Sequence, residues 1–170
     1  MKDNKFYKVI KELLPYIIIL IIIILVKQYV FTTILVNGDS MNNTLKEHDV
    51  MILDKFSYRI KDIERFDIVV VNSSNTKLIK RVIALPGEQI KYENDELYIN
   101  GKKVKDSYGT GVTYDFELDI DKIPEDYYFV LGDNRENSID SRIIGLVHKK
   151  DILGHAIYRL YPFNKFGSVE

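Results

Sequence analysis

The sequence predicts an all-β domain of many short antiparallel strands, folded or barrel-like, carried behind one N-terminal transmembrane helix. Three observations carry that expectation. Residues 13–26 read LLPYIIILIIIILV, without a charge. Beyond residue 30, short β-branched runs recur where amphipathic helical periodicity is missing. Asn94-Asp95 and Asn100-Gly101 break one such stretch in the manner of two-residue hairpin turns, whose residues must tolerate positive φ.

The helix comes first in the chain. Fourteen uncharged residues span only about 21 Å, short of the roughly 30 Å hydrocarbon core. Their flanks extend them. Val9 and Ile10 lie before, Tyr29, Val30 and Phe31 after, and Lys11 and Lys27 can snorkel to the headgroups, so a helix from about residue 8 to 31 crosses. A cleaved signal needs small residues after its apolar run, and KQYVFTT offers none. A soluble core helix would be greasy on all sides, more than so small a domain encloses. The chain therefore divides into residues 1–30, a tail and anchor, and residues 31–170, an outer domain. Through Gln28 the chain carries a net +3 and beyond it a net −4. Lysines before the span place the N-terminus in the cytoplasm and the domain outside the cell membrane.

In the outer domain, strands are expected over 32–36, 50–53, 67–71, 78–84, 127–131 and 152–160, with paired hairpins through GEQIKYENDELYINGKKVK. Residues 106–126 are acidic and weakly patterned, a loop-rich excursion. The absence of Cys excludes disulfides, thiolate metal sites and a Cys nucleophile, and a net charge of −1 argues against nucleic acid as a partner.

The chemistry narrows by what is present. His48, His148 and His155 sit in no metal spacing, and no G-x-S-x-G elbow or phosphate-binding loop occurs. Ser and Lys remain. Three segments concentrate reactive and turn-forming residues: Asn37-Gly38-Asp39-Ser40-Met41, Lys80-Arg81 leading to Leu85-Pro86-Gly87-Glu88, and Gly132 through Arg142. Alternation puts Leu78, Lys80 and Val82 on one strand face and Ile79, Arg81 and Ile83 on the other, so a charge meets an apolar face whichever side is buried. Lys80 is then either an edge-strand gatekeeper or a desolvated amine able to act as a neutral base toward a serine.

These segments, in this order behind an anchor, resemble bacterial type I signal peptidase of the Gram-positive kind, a membrane-bound Ser/Lys endopeptidase. Ser40-Met41 with Thr44-Leu45 is similar to its nucleophile box, and Phe66-Asp67-Ile68-Val69-Val70 to the next strand. Lys80-Arg81-Val82-Ile83-Ala84-Leu85-Pro86-Gly87-Glu88 is similar to the base box, and Gly132-Asp133-Asn134-Arg135-Glu136-Asn137-Ser138-Ile139-Asp140-Ser141-Arg142 to the last. The resemblance implies Ser40 as nucleophile and Lys80 as general base, with no cofactor and no metal. It implies that Ser138 hydrogen-bonds the Lys80 amine, that Asp140 and Arg142 pair beside the site, and that the Ser40 N–H holds the oxyanion. Gly38 stands where some members carry a second, hydroxyl donor, which must here be replaced by backbone or water. Val36 and Ile79 fall where the family lines shallow pockets for small side chains at −1 and −3 of the signal peptides of secreted preproteins. Membrane lipid and proximity to the secretion translocase follow from the same likeness.

Two departures stand out. Asn43 replaces a usual Pro, which implies a modest loosening of the turn. Ala84 replaces a usual Gly and would be strained if its φ were positive. Two other readings compete. A catalytically silent relative serving surface-fibre assembly as a chaperone conflicts with retention of Ser40, Lys80 and Ser138. A self-cleaving Ser/Lys repressor needs a DNA-binding head, and the head here is a greasy span.

With neither thiols nor a metal-ligand spacing, thiol reagents and chelators are expected to leave peptide cleavage by the purified protein unchanged. Chelator inhibition reversed by added zinc would reveal a metal site.

Overall fold

The computed structural model describes residues 3–73 and 76–169. Lys2, part of the basic N-terminal run, lies outside the described residues. Helix α1 (Asp3–Tyr29) is 27 residues long, about 40 Å at the α-helical rise, and contains Pro15. It starts earlier than the sequence suggests, since polar residues before the apolar run extend the helix without needing lipid. Tyr7–Tyr29 is long and apolar enough to cross a membrane, and none of its apolar window is buried in the protein. A soluble fold would have to cover such a surface. The helix stops at Tyr29 because Phe31-Thr32-Thr33-Ile34-Leu35 pairs as a strand, with Val30 alone between the two elements.

Twelve strands follow among the described residues: β1 (Phe31–Leu35), β2 (Val50–Asp54), β3 (Ile68–Ser73), β4 (Thr76–Ala84), β5 (Ile90–Glu93), β6 (Glu96–Ile99), β7 (Lys102–Val104), β8 (Phe116–Glu117), β9 (Tyr127–Leu131), β10 (Val147–His148), β11 (Ile152–Tyr161) and β12 (Gly167–Ser168). They form an eight-stranded sheet, β1-β2-β11-β3-β4-β9-β10 with β12 on β11, and a four-stranded sheet, β7-β6-β5-β8. Every strand pair is antiparallel. The two hairpin turns are formed where the sequence placed them. Asn94 (φ 53°), Asp95 (φ 63°), Asn100 (φ 51°) and Gly101 (φ 72°) all adopt left-handed backbone. The acidic excursion contributes β8, which pairs with β5. Among the described residues the one α-helix beyond the anchor, α2 (Ser141–Ile144), is a single turn capped by the Asp140 carboxylate.

Three apolar clusters hold this arrangement. One joins the sheets through Ile83, Ile90, Tyr92, Leu97 and Phe129. A second, of Val36, Met41, Leu45, Met51, Ile68 and Ala156, lies under the loop that follows β1. A third packs Val69, Val71, Val82 and Val130 against Ile63 and Val147. Strand β4 contributes to all three, so both of its faces are covered. It runs between β3 and β9, which removes the edge-strand explanation for Lys80.

The two sequence departures resolve differently. Ala84 is buried in β4 opposite Phe129 and is not among the residues with positive φ, so the strain considered for it is not present. The positive φ of that segment falls on Gly87, at 77°. Asn43 has φ 120°, far from the −65° that a proline ring imposes, so the loop has taken a path that the usual Pro could not follow. We expect Asn43→Pro to lower unfolding free energy by more than about 1 kcal/mol and Asn43→Gly to be tolerated, as read from urea denaturation midpoints. Equal midpoints for the two variants would show that the loop adapts freely.

Candidate active site

The loop from Val36 to Leu45 is anchored at both ends and raised in the middle. Val36, Met41 and Leu45 are buried in the second cluster, whereas residues 37–39 are exposed. Gly38 turns the chain with φ 84°, a conformation that costs glycine little and a side-chain-bearing residue more. Ser40 follows two residues on, half-buried, with Asn42 N–H closing a turn on Asp39 O at 2.8 Å. The Ser40 N–H donates to no group among the described residues.

Strand β4 brings the cation. Lys80 is 2% exposed, and its Nζ lies 2.6 Å from Ser40 Oγ. Burial pulls the amine down from 10.5 to about 8, although the Asp140 and Asp133 carboxylates act in the opposite sense and Arg142 adds to the fall. As an ammonium Lys80 donates to Oγ; as a neutral amine it offers a lone pair to the serine proton along the same line.

Arg81, the next residue, is 0% exposed and is buried with a carboxylate partner. Its Nε and Nη2 donate to the two oxygens of Asp133, at 2.9 and 2.7 Å, in a bidentate pair. Nη1 donates to Phe66 O at 2.8 Å and Nη2 also to Thr44 Oγ1 at 3.2 Å. The guanidinium lies 3.7 Å from the centroid of the Tyr108 ring. Thr44 Oγ1 in turn donates to Asp133 Oδ2. Three segments distant in sequence are thereby joined at one carboxylate.

The loop after β9 completes the surround. Asn134 N–H donates to Ser40 O at 2.9 Å, Asn134 Nδ2 to Asp39 O at 3.2 Å, and Asn137 Nδ2 to the Asp39 carboxylate at 3.0 and 2.9 Å. Gly132 is required for space, since a Cβ there would collide with Ser138 Oγ and the Ser40 carbonyl oxygen. Gly132 N–H donates to Asp140 Oδ2 at 3.0 Å, and Arg142 donates through Nε and Nη2 to the same carboxylate at 2.8 Å each. Burial opposes ionisation of Asp140, but the Arg142 and Gly132 hydrogen bonds outweigh it and hold this carboxyl below its usual range.

The residues singled out from sequence are therefore distributed as follows. Ser40 and Lys80 touch, Asp140 and Arg142 pair, and Val36 and Ile79 meet in the second apolar cluster. Ser138 departs from its expected partner. Its Oγ is buried under Gly132 without a well-formed hydrogen bond, close enough to help keep Asp140 ionised, and makes none to the Lys80 amine. The Lys80 amine donates to Ser40 Oγ. Thr44, Arg81 and Asp133 lay in the recognised segments, but sequence reading gave them no role. For Arg81 the apolar neighbours on its strand face were the available signal. His155 stacks on Tyr58 and lies 3.7 Å from Asp67, accounted for without Ser40.

Known proteins resemble this chain over most of its length. Residues 9–161 match the family described as signal peptidase, peptidase S26. The chain is 45% identical over 152 residues to signal peptidase I V of Bacillus subtilis, covering 81% of this chain and 90% of that one. It is 35% identical over 178 residues to signal peptidase IB of Staphylococcus aureus, covering 92% and 93%. The crystal structure of a signal peptidase I from Enterococcus faecalis superposes with a TM-score of 0.52 at 38% identity, covering 56% of this chain and 97% of that one.

Breaking the Arg81–Asp133 pair from one side strands a buried charge. Asp133→Asn is expected to lower unfolding free energy by about 3–5 kcal/mol, and the double variant Arg81→Met/Asp133→Leu by clearly less, in denaturant titrations. Additive losses would show that the two side chains stabilise the fold independently.

Proposed function

The chain belongs to the signal peptidase family, peptidase S26, and on that premise we propose a Ser40/Lys80 dyad as the machinery with which it works. It is a signal peptidase I, a serine endopeptidase that removes signal peptides from preproteins. The observation that carries the dyad is the 2.6 Å contact between Lys80 Nζ and Ser40 Oγ inside a protein that has desolvated the amine.

In the proposed reaction, the neutral Lys80 amine takes the Ser40 proton as Oγ attacks the scissile carbonyl carbon. The oxyanion that forms is held by the Ser40 N–H, which has no competing partner among the described residues. The Lys80 ammonium then gives its proton to the departing amine, leaving an ester on Ser40. Water, deprotonated by the same amine, hydrolyses that ester. With its pKa near 8, about a tenth of Lys80 is neutral at pH 7, whereas an unperturbed lysine would be almost wholly charged. Asn134 and Asn137 fix the loop that carries Ser40, and Asp140 with Arg142 fixes the loop that carries the asparagines. Ser138 supports Asp140 in this scheme and does not act on Lys80.

Val36, 2% exposed, packs with Ile79 in the second apolar cluster. We assign these two to the floor of a shallow apolar surface that accepts small side chains at −1 and −3 and rejects bulk by collision. Residues 1–30 serve as the membrane anchor and 31–170 as the catalytic unit. The lysine-rich N-terminus lies in the cytoplasm and the catalytic unit on the outer side of the cell membrane, in contact with lipid and near the translocase. Retention of a touching Ser40 and Lys80 disfavours a silent chaperone.

Ser40→Ala and Lys80→Ala are each expected to reduce cleavage of a preprotein by several orders of magnitude, and the double variant little further, because the two act as a unit. Wild-type kcat/KM on a soluble peptide is expected to rise as pH increases through about 8 and then level off, the sign required of a base that works when deprotonated. Full activity in Lys80→Ala, or a rate that falls across that pH range, would exclude Lys80 as the base.

A further inference from the structure

The last turn of α1 does not end free of the strand domain. Lys55, the residue after β2, donates from Nζ to the carbonyl oxygens of Lys27 at 3.3 Å and Gln28 at 3.2 Å. Its backbone N–H donates to Val30 O at 2.8 Å, and Val30 N–H continues the helical pattern to Val26 O at 2.8 Å. The final carbonyls of a helix lack intrahelical donors and carry the negative end of its dipole, so an ammonium is the matching partner. Lys55 is placed there by the sheet. Asp54, just before it, pairs with Phe31, the first residue of β1. Asp54 also accepts from Phe56 N–H at 2.8 Å and Ser57 N–H at 3.0 Å, which fixes the turn around Lys55.

A pivot of α1 about Val30 therefore has to break the contacts that the Lys55 ammonium makes with Lys27 and Gln28. We propose that Lys55 is a positioning residue that sets the angle between the anchor helix and the catalytic sheet. The proposal rests on the reading of this chain as a signal peptidase. A signal peptide held in the bilayer presents its cleavage site at a restricted height and direction. An enzyme whose domain is fixed relative to its own anchor meets that site productively more often than one whose domain swings. A peptide free in solution approaches from any direction and gains nothing from the fixed angle. Lys55 touches neither Ser40 nor Lys80, so its effect is confined to substrates that share the membrane.

The test compares wild type, Lys55→Met and Lys55→Arg as full-length proteins in phospholipid vesicles. Each is assayed on a preprotein inserted in the same vesicles and on a soluble peptide spanning the cleavage site. Lys55→Met is expected to lower kcat/KM on the inserted preprotein about two- to fivefold, the scale of a cation at a helix C-terminus, and to leave the peptide rate unchanged. Lys55→Arg, whose guanidinium can donate to both carbonyls, restores processing of the preprotein. An equal fall on both substrates overturns the proposal in favour of a general structural role. Unchanged preprotein processing in Lys55→Met, or failure of Lys55→Arg to restore it, overturns it as well. A wild type that cleaves neither substrate contradicts the signal peptidase reading itself, whereas failure of the positioning role leaves wild type active on both.

Discussion

The bidentate pair between Arg81 and Asp133 is the constraint on which the site depends. Both side chains are 0% exposed, and both have lost water that neither could do without unless paired. The pair is more than a bridge between β4 and the loop after β9. Thr44 enters it through its hydroxyl and Phe66 through its carbonyl, so the loop bearing Ser40 and the start of β3 are drawn to the same point. A buried ion pair adds little net stability over well-packed apolar residues, but it tolerates few alternative arrangements. Its contribution here is register among distant segments.

The neighbouring residue shows what happens without such a partner. Lys80 and Arg81 are adjacent on one strand and point to opposite faces, both covered by apolar side chains. Asp133 meets the Arg81 guanidinium in matching geometry, a planar fork against two carboxylate oxygens. Lys80 faces a hydroxyl at 2.6 Å and has its carboxylates, Asp140 and Asp133, engaged elsewhere, so burial prevails and the amine weakens as a cation. The same dry interior thus holds an ion pair on one face and favours a neutral amine on the other. Asp140 belongs to this balance: were it to claim the lysine instead of Arg142, the amine would be held charged.

The approach of the membrane is built into the chain path. Only Val30 separates α1 from β1, and β1 pairs along its whole length with β2. From Phe31 to Ser40 is nine residues, at most about 30 Å when extended, so the serine stays close to the end of α1. The anchor and the domain are continuous elements, with Lys55 at the junction.

Sequence by itself determined the elements whose signal is local. The uncharged run of residues 13–26, the alternation through 78–84 and the Asn94-Asp95 and Asn100-Gly101 turns each depend on neighbours a few positions away, and helix, strand and turns form there. Resemblance in four segments was enough to single out Ser40 and Lys80. Alternation further required that one of Lys80 and Arg81 meet an apolar face, but not that both do; that follows only when apolar clusters pack on both faces of β4. Tertiary structure also decided the partners. Arg81 with Asp133, Thr44 with both, Asn137 with Asp39, and Lys55 with the helix end span separations that no periodicity encodes. Ser138 was expected against the Lys80 amine and lies instead beside Asp140, while Ala84 escapes the strain considered for it and Asn43 takes a φ closed to proline. Each of these outcomes rests on where a distant segment arrives, because hydrogen-bond geometry and desolvation are properties of the packed interior and not of the chain before it folds.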